Sequence, residues 1–481
     1  MGLTGTWQNE FGSIMDIYVN EQGLVSGTYS SHTGATGCYR VTGVADTKPD
    51  QNSQCVSFSI SWRPLGVSPD DPSFHWVSAF AGQLQVVDGK EVLFTTYLLV
   101  KNTTHDDNWE ATVVDKCTFK RISSPSTVAS KPQVVFNLER GKMTDNGATP
   151  WFAKIPLGTP GQTLKYMLDT GTTHTWVTSS ACTTNACKAH QPFCPDDSST
   201  SKKLPFDVKQ IDFGPWGTME ALLYQDYFEL SLIRDLQNVE IKLPGRIYLS
   251  TNYDGDQFLQ LACDGGVAIP RCLPKGIDST ELLPHLKREG IIDQAVASFW
   301  FDPAAGKGQV CLGALDPTRF QPESENRIVV TPLSTPFDYL WTVPLEAFNC
   351  DAKCVLAHIP LVLDTGSSVF KGDPKLIKEI VSVITQGGKL PSIIYGSNPN
   401  FKGYPILGLQ IGEITYQLTP QQYFIEIKQD TWELAFQEME GLDGFILAGS
   451  VFLDTVYSAF YYETGQAGVQ EILLAAPVER A

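Results

Sequence analysis

A short apolar run leading into Asp-Thr-Gly and two hydroxyl residues occurs twice in this chain, as Tyr166-Met167-Leu168-Asp169-Thr170-Gly171-Thr172-Thr173 and as Leu361-Val362-Leu363-Asp364-Thr365-Gly366-Ser367-Ser368. The two aspartates stand 195 residues apart. A given tripeptide arises by chance about 0.1 times in a chain of this length. Two copies with matching flanks therefore mark a duplicated, domain-sized lobe. A lone Asp-Thr-Gly would be a turn with a solvated carboxylate, but a pair related by a pseudo-two-fold axis has other chemistry. Like charges about 3 Å apart do not both ionise, so Asp169 and Asp364 would share one proton, one acting as general base on water and the other donating to a carbonyl oxygen. Gly171 and Gly366 permit close backbone approach, and the hydroxyls of Thr172 and Ser367 are placed to orient the carboxylates.

Ahead of the duplicated region the pattern is different. From 1 to about 122, period-two strands alternate with turn-rich segments; Val56, Phe58, Ile60 and Trp62 interleave with Ser57, Ser59 and Ser61. Strands are expected near 4–9, 14–20, 24–30, 38–45, 55–63, 74–83, 91–100 and 109–121. Eight sequential strands without a helical interruption predict an up-and-down barrel, which removes its own sheet edges and can hold one small ligand. Residues 123–133 are a Ser/Pro-rich linker, followed by lobes at 134–322 and 323–481. The whole chain reads as all-β, with Pro374–Val381 its best helical pattern.

Charge and cysteine content narrow the function classes. A formal charge of -18 opposes phosphate-backbone binding and excludes nucleic acid as an expected partner. No window carries the 18 apolar residues of a membrane-spanning helix. Eleven cysteines include the close pairs Cys182/Cys187, Cys350/Cys354 and Cys263/Cys272, which read as disulfides of an oxidising compartment. Zinc is the rival reading, but no CxxC or HExxH occurs, and no metal site is expected. The amino terminus has neither a basic nor an apolar leader region. A processed or recombinant start would explain this in a secreted or vacuolar protein; the same residues also satisfy a loose myristoylation pattern through Gly2 and Thr6.

The duplicated region resembles the pepsin-like aspartic endopeptidases from about Val134 to the end. Besides the two Asp-Thr-Gly motifs, Trp151 to Gln162 is similar to the family's first strand and turn, and Trp176 stands at its substrate-pocket tryptophan. Cys182/Cys187 and Cys350/Cys354 sit at positions similar to family disulfides; Gly265–Ala268 and Leu447–Phe452 resemble the segments passing behind each catalytic loop. The resemblance implies a bilobal β fold that hydrolyses internal peptide bonds in acid without metal or covalent intermediate. Two departures stand out. The expected flap, Ile211–Thr218, carries Phe213 where the family has a tyrosine, and too few residues separate the barrel from Val134 to form a prosegment. Either the barrel replaces that segment, or the cleft is open from synthesis, or catalysis has been lost.

The first domain resembles the avidin and streptavidin family. Gly5–Ser13, Ser26–Tyr29 and Trp109–Val113 match its first, third and last strands. The resemblance implies a biotin-like ligand contacted by Asn9, Ser13, Tyr29, Ser31 and Trp62, and by Ser78, Phe80, Tyr97, Leu99 and Trp109, with Asn9, Ser13 and Tyr29 forming a polar cradle. Tyr97 replaces a tryptophan wall, and Cys117, a weak acceptor, replaces an acidic or amide residue. Biotin, an altered ligand, or a purely structural and oligomerising barrel are the three readings, and a homo-oligomer is implied by resemblance. The expectation for the whole chain is an acid endopeptidase carrying an avidin-like domain, needing no cofactor and acting on a peptide or protein. The alternative is a non-proteolytic ligand-binding or defence protein with a degenerate cleft; a third is a biotin-sequestering protein with a passive carboxy-terminal body.

Overall fold

The computed structural model describes all residues except 1, 20–22, 32–36, 49–52, 65–75, 88, 108–109, 124–131, 214–216, 235–236, 274–278, 465–467 and 479–481. Two compact units result, residues 1–132 with 231–244, and residues 133–230 with 245–481. Most of the expected linker therefore lies outside the described residues. No helix among the described residues is long and apolar enough to cross a membrane.

The first unit contains strands β1 (Gly5–Asn9), β2 (Ile14–Val19), β3 (Leu24–Ser31), β4 (Gly37–Ala45), β5 (Ser53–Pro64), β6 (Val77–Val87), β7 (Lys90–Val100) and β8 (Thr112–Ser123). They form a closed barrel in sequence order, with β8 antiparallel to β1. Alternation decides which side faces in. In β5, Val56, Phe58 and Ile60 are buried while Ser57 and Ser61 are exposed, as period-two patterning requires. Phe58, Phe80 and Tyr97 are cross-strand neighbours, with Phe58 and Phe80 stacked at 4.7 Å and Phe80 and Tyr97 tilted by 30° at 5.2 Å. Such aromatic pairs add about 0.5–1.5 kcal/mol each beyond their burial.

The second unit is built on two similar arms, each a strand running into an Asp-Thr-Gly loop. In the first, the strand Gln162–Asp169 runs parallel to the strand Gly265–Ala268, with Asp169 opposite Ala268, and Trp176–Thr178 lies antiparallel on the far side. The second repeats this arrangement. Lys353–Leu363 runs parallel to Ile446–Ala448, and Phe370–Gly372 packs antiparallel against that strand. Each Asp-Thr-Gly follows a fully buried strand end, so the apolar leads are anchors in the sheet. The segments expected behind the catalytic loops, at 265–268 and 447–452, occupy that place. The helix Pro374–Ile384 buries Ile377, Ile380 and Ile384 and begins at Asp373, whose carboxylate accepts from Lys375 N–H at 2.8 Å.

Candidate active site

The two Asp-Thr-Gly loops are locked crosswise by threonine. Thr170 N–H donates to Thr365 Oγ1 and Thr365 N–H to Thr170 Oγ1, both at 3.0 Å. Each hydroxyl then donates across the axis, Thr170 to Leu363 O at 2.9 Å and Thr365 to Leu168 O at 2.6 Å. Sequence reasoning passed over these two threonines. Their signal was identity: the second residue of both motifs is the same type, one able to donate and accept at once.

The lock brings the carboxyls together in a nearly dry site, with Asp169 9% and Asp364 7% exposed. Gly171 N–H donates to Asp169 Oδ1 at 2.7 Å and Gly366 N–H to Asp364 Oδ1 at 2.8 Å. A Cβ at Gly171 would lie 2.6 Å from Asp364 Oδ1, and one at Gly366 would collide with the Asp169 carboxyl, so glycine is required at both positions. Burial, and next the charge of Asp364, hold the Asp169 carboxyl well above the usual carboxylate range; the Gly171 N–H opposes this.

The supporting hydroxyls are not equivalent. Ser367 Oγ donates to Asp364 Oδ2 at 2.8 Å, as expected, whereas Thr172 Oγ1 accepts from His174 N–H at 3.5 Å and makes no bond to Asp169. The flap forms as a hairpin, Asp212 pairing with Thr218, and Phe213 N–H bonds Gly217 O at 3.0 Å. Phe213 meets Trp176 edge to face at 5.5 Å, and Phe258 closes the cluster at 5.5 Å from Phe213. Trp176 and Phe213 are thus brought together in one apolar cluster, Trp176 fully buried and Phe213 half-buried at its edge.

Of the three expected disulfides, only Cys182–Cys187 forms. Cys350 and Cys354 are free, because the hairpin turning between them places Cys350 in the core and Cys354 outside. Cys263 and Cys272 are also free. Cys263 is buried in the cluster around Trp176, while the Cys272 sulfur turns to Asp338 O at 3.3 Å. Sequence proximity did not encode these directions.

In the barrel, Asn9 Nδ2 donates to Tyr29 OH at 3.0 Å and Asn9 Oδ1 accepts from Ser13 N–H at 2.9 Å, so the expected cradle residues do converge. Cys117 joins them, accepting from Asn9 Nδ2 at 3.5 Å, with burial pushing its thiol up to about 12. Trp62 Nε1 donates to Ser78 Oγ at 2.7 Å, and Trp62 lies edge to face with Tyr29 at 5.7 Å. Ser31 and Phe80 are buried, while Tyr97 and Leu99 are half-buried. Trp109 lies outside the described residues.

Two like arms meeting at a buried pair of aspartates, with a hairpin that carries an aromatic residue onto Trp176, are the architecture of an aspartic protease. The chain belongs to the eukaryotic aspartyl protease family, whose family model matches residues 150–472, and the avidin family model matches residues 1–122. Chymosin of Bos taurus is 29% identical over 314 residues, 64% of this chain and 77% of that protein. Pepsin A of Sus scrofa is 25% identical over 332 residues, 67% of this chain and 82% of its own. Cathepsin E of Mus musculus is 26% identical over 342 residues, 66% and 79% of the two chains.

Proposed function

We propose that this chain is an acid-active aspartic endopeptidase whose Asp169/Asp364 pair activates water. The observation that carries the reading is the buried pair itself, two carboxyls each packed against the glycine of the opposite loop and held by reciprocal threonines. In the singly protonated pair the ionised carboxyl takes a proton from a water between the two. The water oxygen attacks the peptide carbonyl carbon while the protonated carboxyl donates to the carbonyl oxygen. The resulting gem-diol collapses as the pair takes back a hydroxyl proton and delivers one to the departing nitrogen, ending with one proton again. Trp176 and Phe213 would line the substrate pocket, and no metal or cofactor enters any step. An acidic, oxidising compartment, secreted or vacuolar, suits this chemistry and the Cys182–Cys187 disulfide.

The barrel is assigned to assembly and to a biotin-like ligand held by the Asn9, Ser13 and Tyr29 cradle. Homo-oligomer formation is supported by an exposed apolar strip on β6–β8, where Leu98 lies between Ala79 and Val114 and Val100 lies beside Val77. A second reading, ligand capture without cleavage, is favoured by Phe213, which brings no phenol to the cleft.

Hydrolysis of a fluorogenic peptide pool from pH 2 to 7 tests the enzyme, comparing wild type, Asp169→Asn, and wild type with the transition-state analogue pepstatin. Acid-dependent cleavage lost in the variant and blocked by pepstatin is expected. A folded protein that cleaves nothing across the range would give the second reading precedence. Retention on biotin-agarose with release by free biotin tests the barrel separately.

A further inference from the structure

Lys371 is a buried cation that the cleavage steps leave unused. It lies seven residues beyond Asp364 on the strand Phe370–Gly372, between Ile446–Ala448 and Phe436–Glu438, and is 6% exposed. Its stem packs on the backbone of Gly147, where a Cβ would stand 2.7 Å from Lys371 Cε and 3.0 Å from Nζ. Gly147 belongs to the segment clasping the second catalytic loop: its carbonyl accepts from Ser368 N–H at 2.9 Å, and Thr149 N–H donates to Gly366 O at 2.8 Å. The ammonium is therefore fixed at the joint that holds the Asp364 loop, in the wall of a cavity of about 260 Å³ shared with Asn146, Gln257 and Gln437.

We propose that Lys371 is a positioning residue for the carboxyl pair, its fixed positive charge favouring the ionised form of Asp169 and so setting the pH window of hydrolysis lower than the pair alone would. The proposal rests on the aspartic endopeptidase reading above. Other charges facing this region are accounted for. Glu438, on the neighbouring strand, is paired with Lys378 at 3.0 Å; Asp145, on the segment before Gly147, is exposed. Asp212 of the flap and the phenol of Tyr339, the latter raised to about 12 by burial and then by both catalytic carboxylates, complete the set. Burial pushes the Lys371 ammonium down to about 8, against the support of Asp364 and Asp169, so it keeps its proton from pH 2 to 7 and acts as a constant charge. Lys371 in turn pulls the Asp169 carboxyl down, opposing the effect of burial.

The test is the pH profile of kcat/KM for Lys371→Met, with Lys371→Gln made alongside because its amide can still bond to the polar cavity wall. Both limbs are expected to move upward by about one pH unit, the size of a close opposite-charge effect, and Lys371→Arg is expected to restore the wild-type limbs. Unmoved limbs with lower amplitude would overturn the proposal in favour of a packing role. Unmoved limbs with KM changed selectively for charged peptides would overturn it in favour of substrate contact. A readout independent of turnover is the carboxyl ¹³C titration of labelled aspartate, with Asp169 assigned by difference from Asp169→Asn. If the midpoint rises in the Lys371 variants, the charge effect stands even should wild type cleave nothing, and an unshifted midpoint refutes it.

Discussion

Ser367 and Thr172 occupy the same place in the two halves, yet only Ser367 reaches its carboxylate. Ser367→Ala is therefore expected to lower kcat/KM roughly 10-fold or more, the worth of a hydrogen bond to a charged group, while Thr172→Ala changes it less than about 3-fold. Steady-state kinetics on one peptide distinguishes the two. Nearby, burial and then Lys209 push the imidazole of His174 down to about 4 from 6.5, and its Nε2 is buried without a partner. The unfolded chain takes up this proton near pH 6.5 and the fold only near 4, so His174 removes stability as pH falls through that interval, by roughly 2 to 4 kcal/mol. Urea unfolding at pH 7 and pH 4 should show His174→Gln gaining stability relative to wild type as the pH is lowered, the difference between the two proteins being the His174 contribution. At this scale the two aspartates, their glycines and Ser367 were legible from chemistry alone. Thr170, Thr365, His174 and Lys371 were not, because their roles depend on what the fold places opposite them.

Elements carry the next level of control. The flap hairpin presents Phe213 edge to face to Trp176. Phe213→Tyr adds a phenol at that point and is expected to raise kcat/KM several-fold, whereas Phe213→Ala should lower it by opening the apolar cover; parallel kinetics on the three proteins would show the order. The helix Pro374–Ile384 depends on Asp373, which accepts from Lys375 N–H at 2.8 Å and from Gly444 N–H at 2.9 Å. Asp373→Ala should cost about 1–2 kcal/mol in denaturant unfolding. Strands of the barrel were readable because one face is buried and the other wet, so period two survives in the sequence. The cysteine pairs misled for the opposite reason: two cysteines five residues apart closed a bridge, while Cys350 and Cys354 lie on opposite faces of a hairpin.

At the scale of the molecule, buried acids bias the fold toward low pH. Burial pushes Asp454 up to about 7, with Arg140 and the Trp151 N–H opposing, and pushes Glu281 up to about 7 against Ser279 and Arg288. Both groups hold protons in the fold that the unfolded chain releases near their ordinary values, so stability from this source grows as pH falls from about 7 toward 4. Thermal unfolding should give a higher midpoint at pH 5 than at pH 7.5, with a smaller difference in Asp454→Asn. The two-part organisation was legible as a change from eight uninterrupted strands to a duplicated motif, but the depth at which each acid is buried was not, since it is decided by residues hundreds of positions away. The crossed threonines have a mechanical consequence. Because each loop is tied to the opposite lobe at the carboxyls themselves, that point behaves as a pivot: lobes that rock to admit a peptide widen the rim of the cleft while leaving the spacing of the two acids almost unchanged.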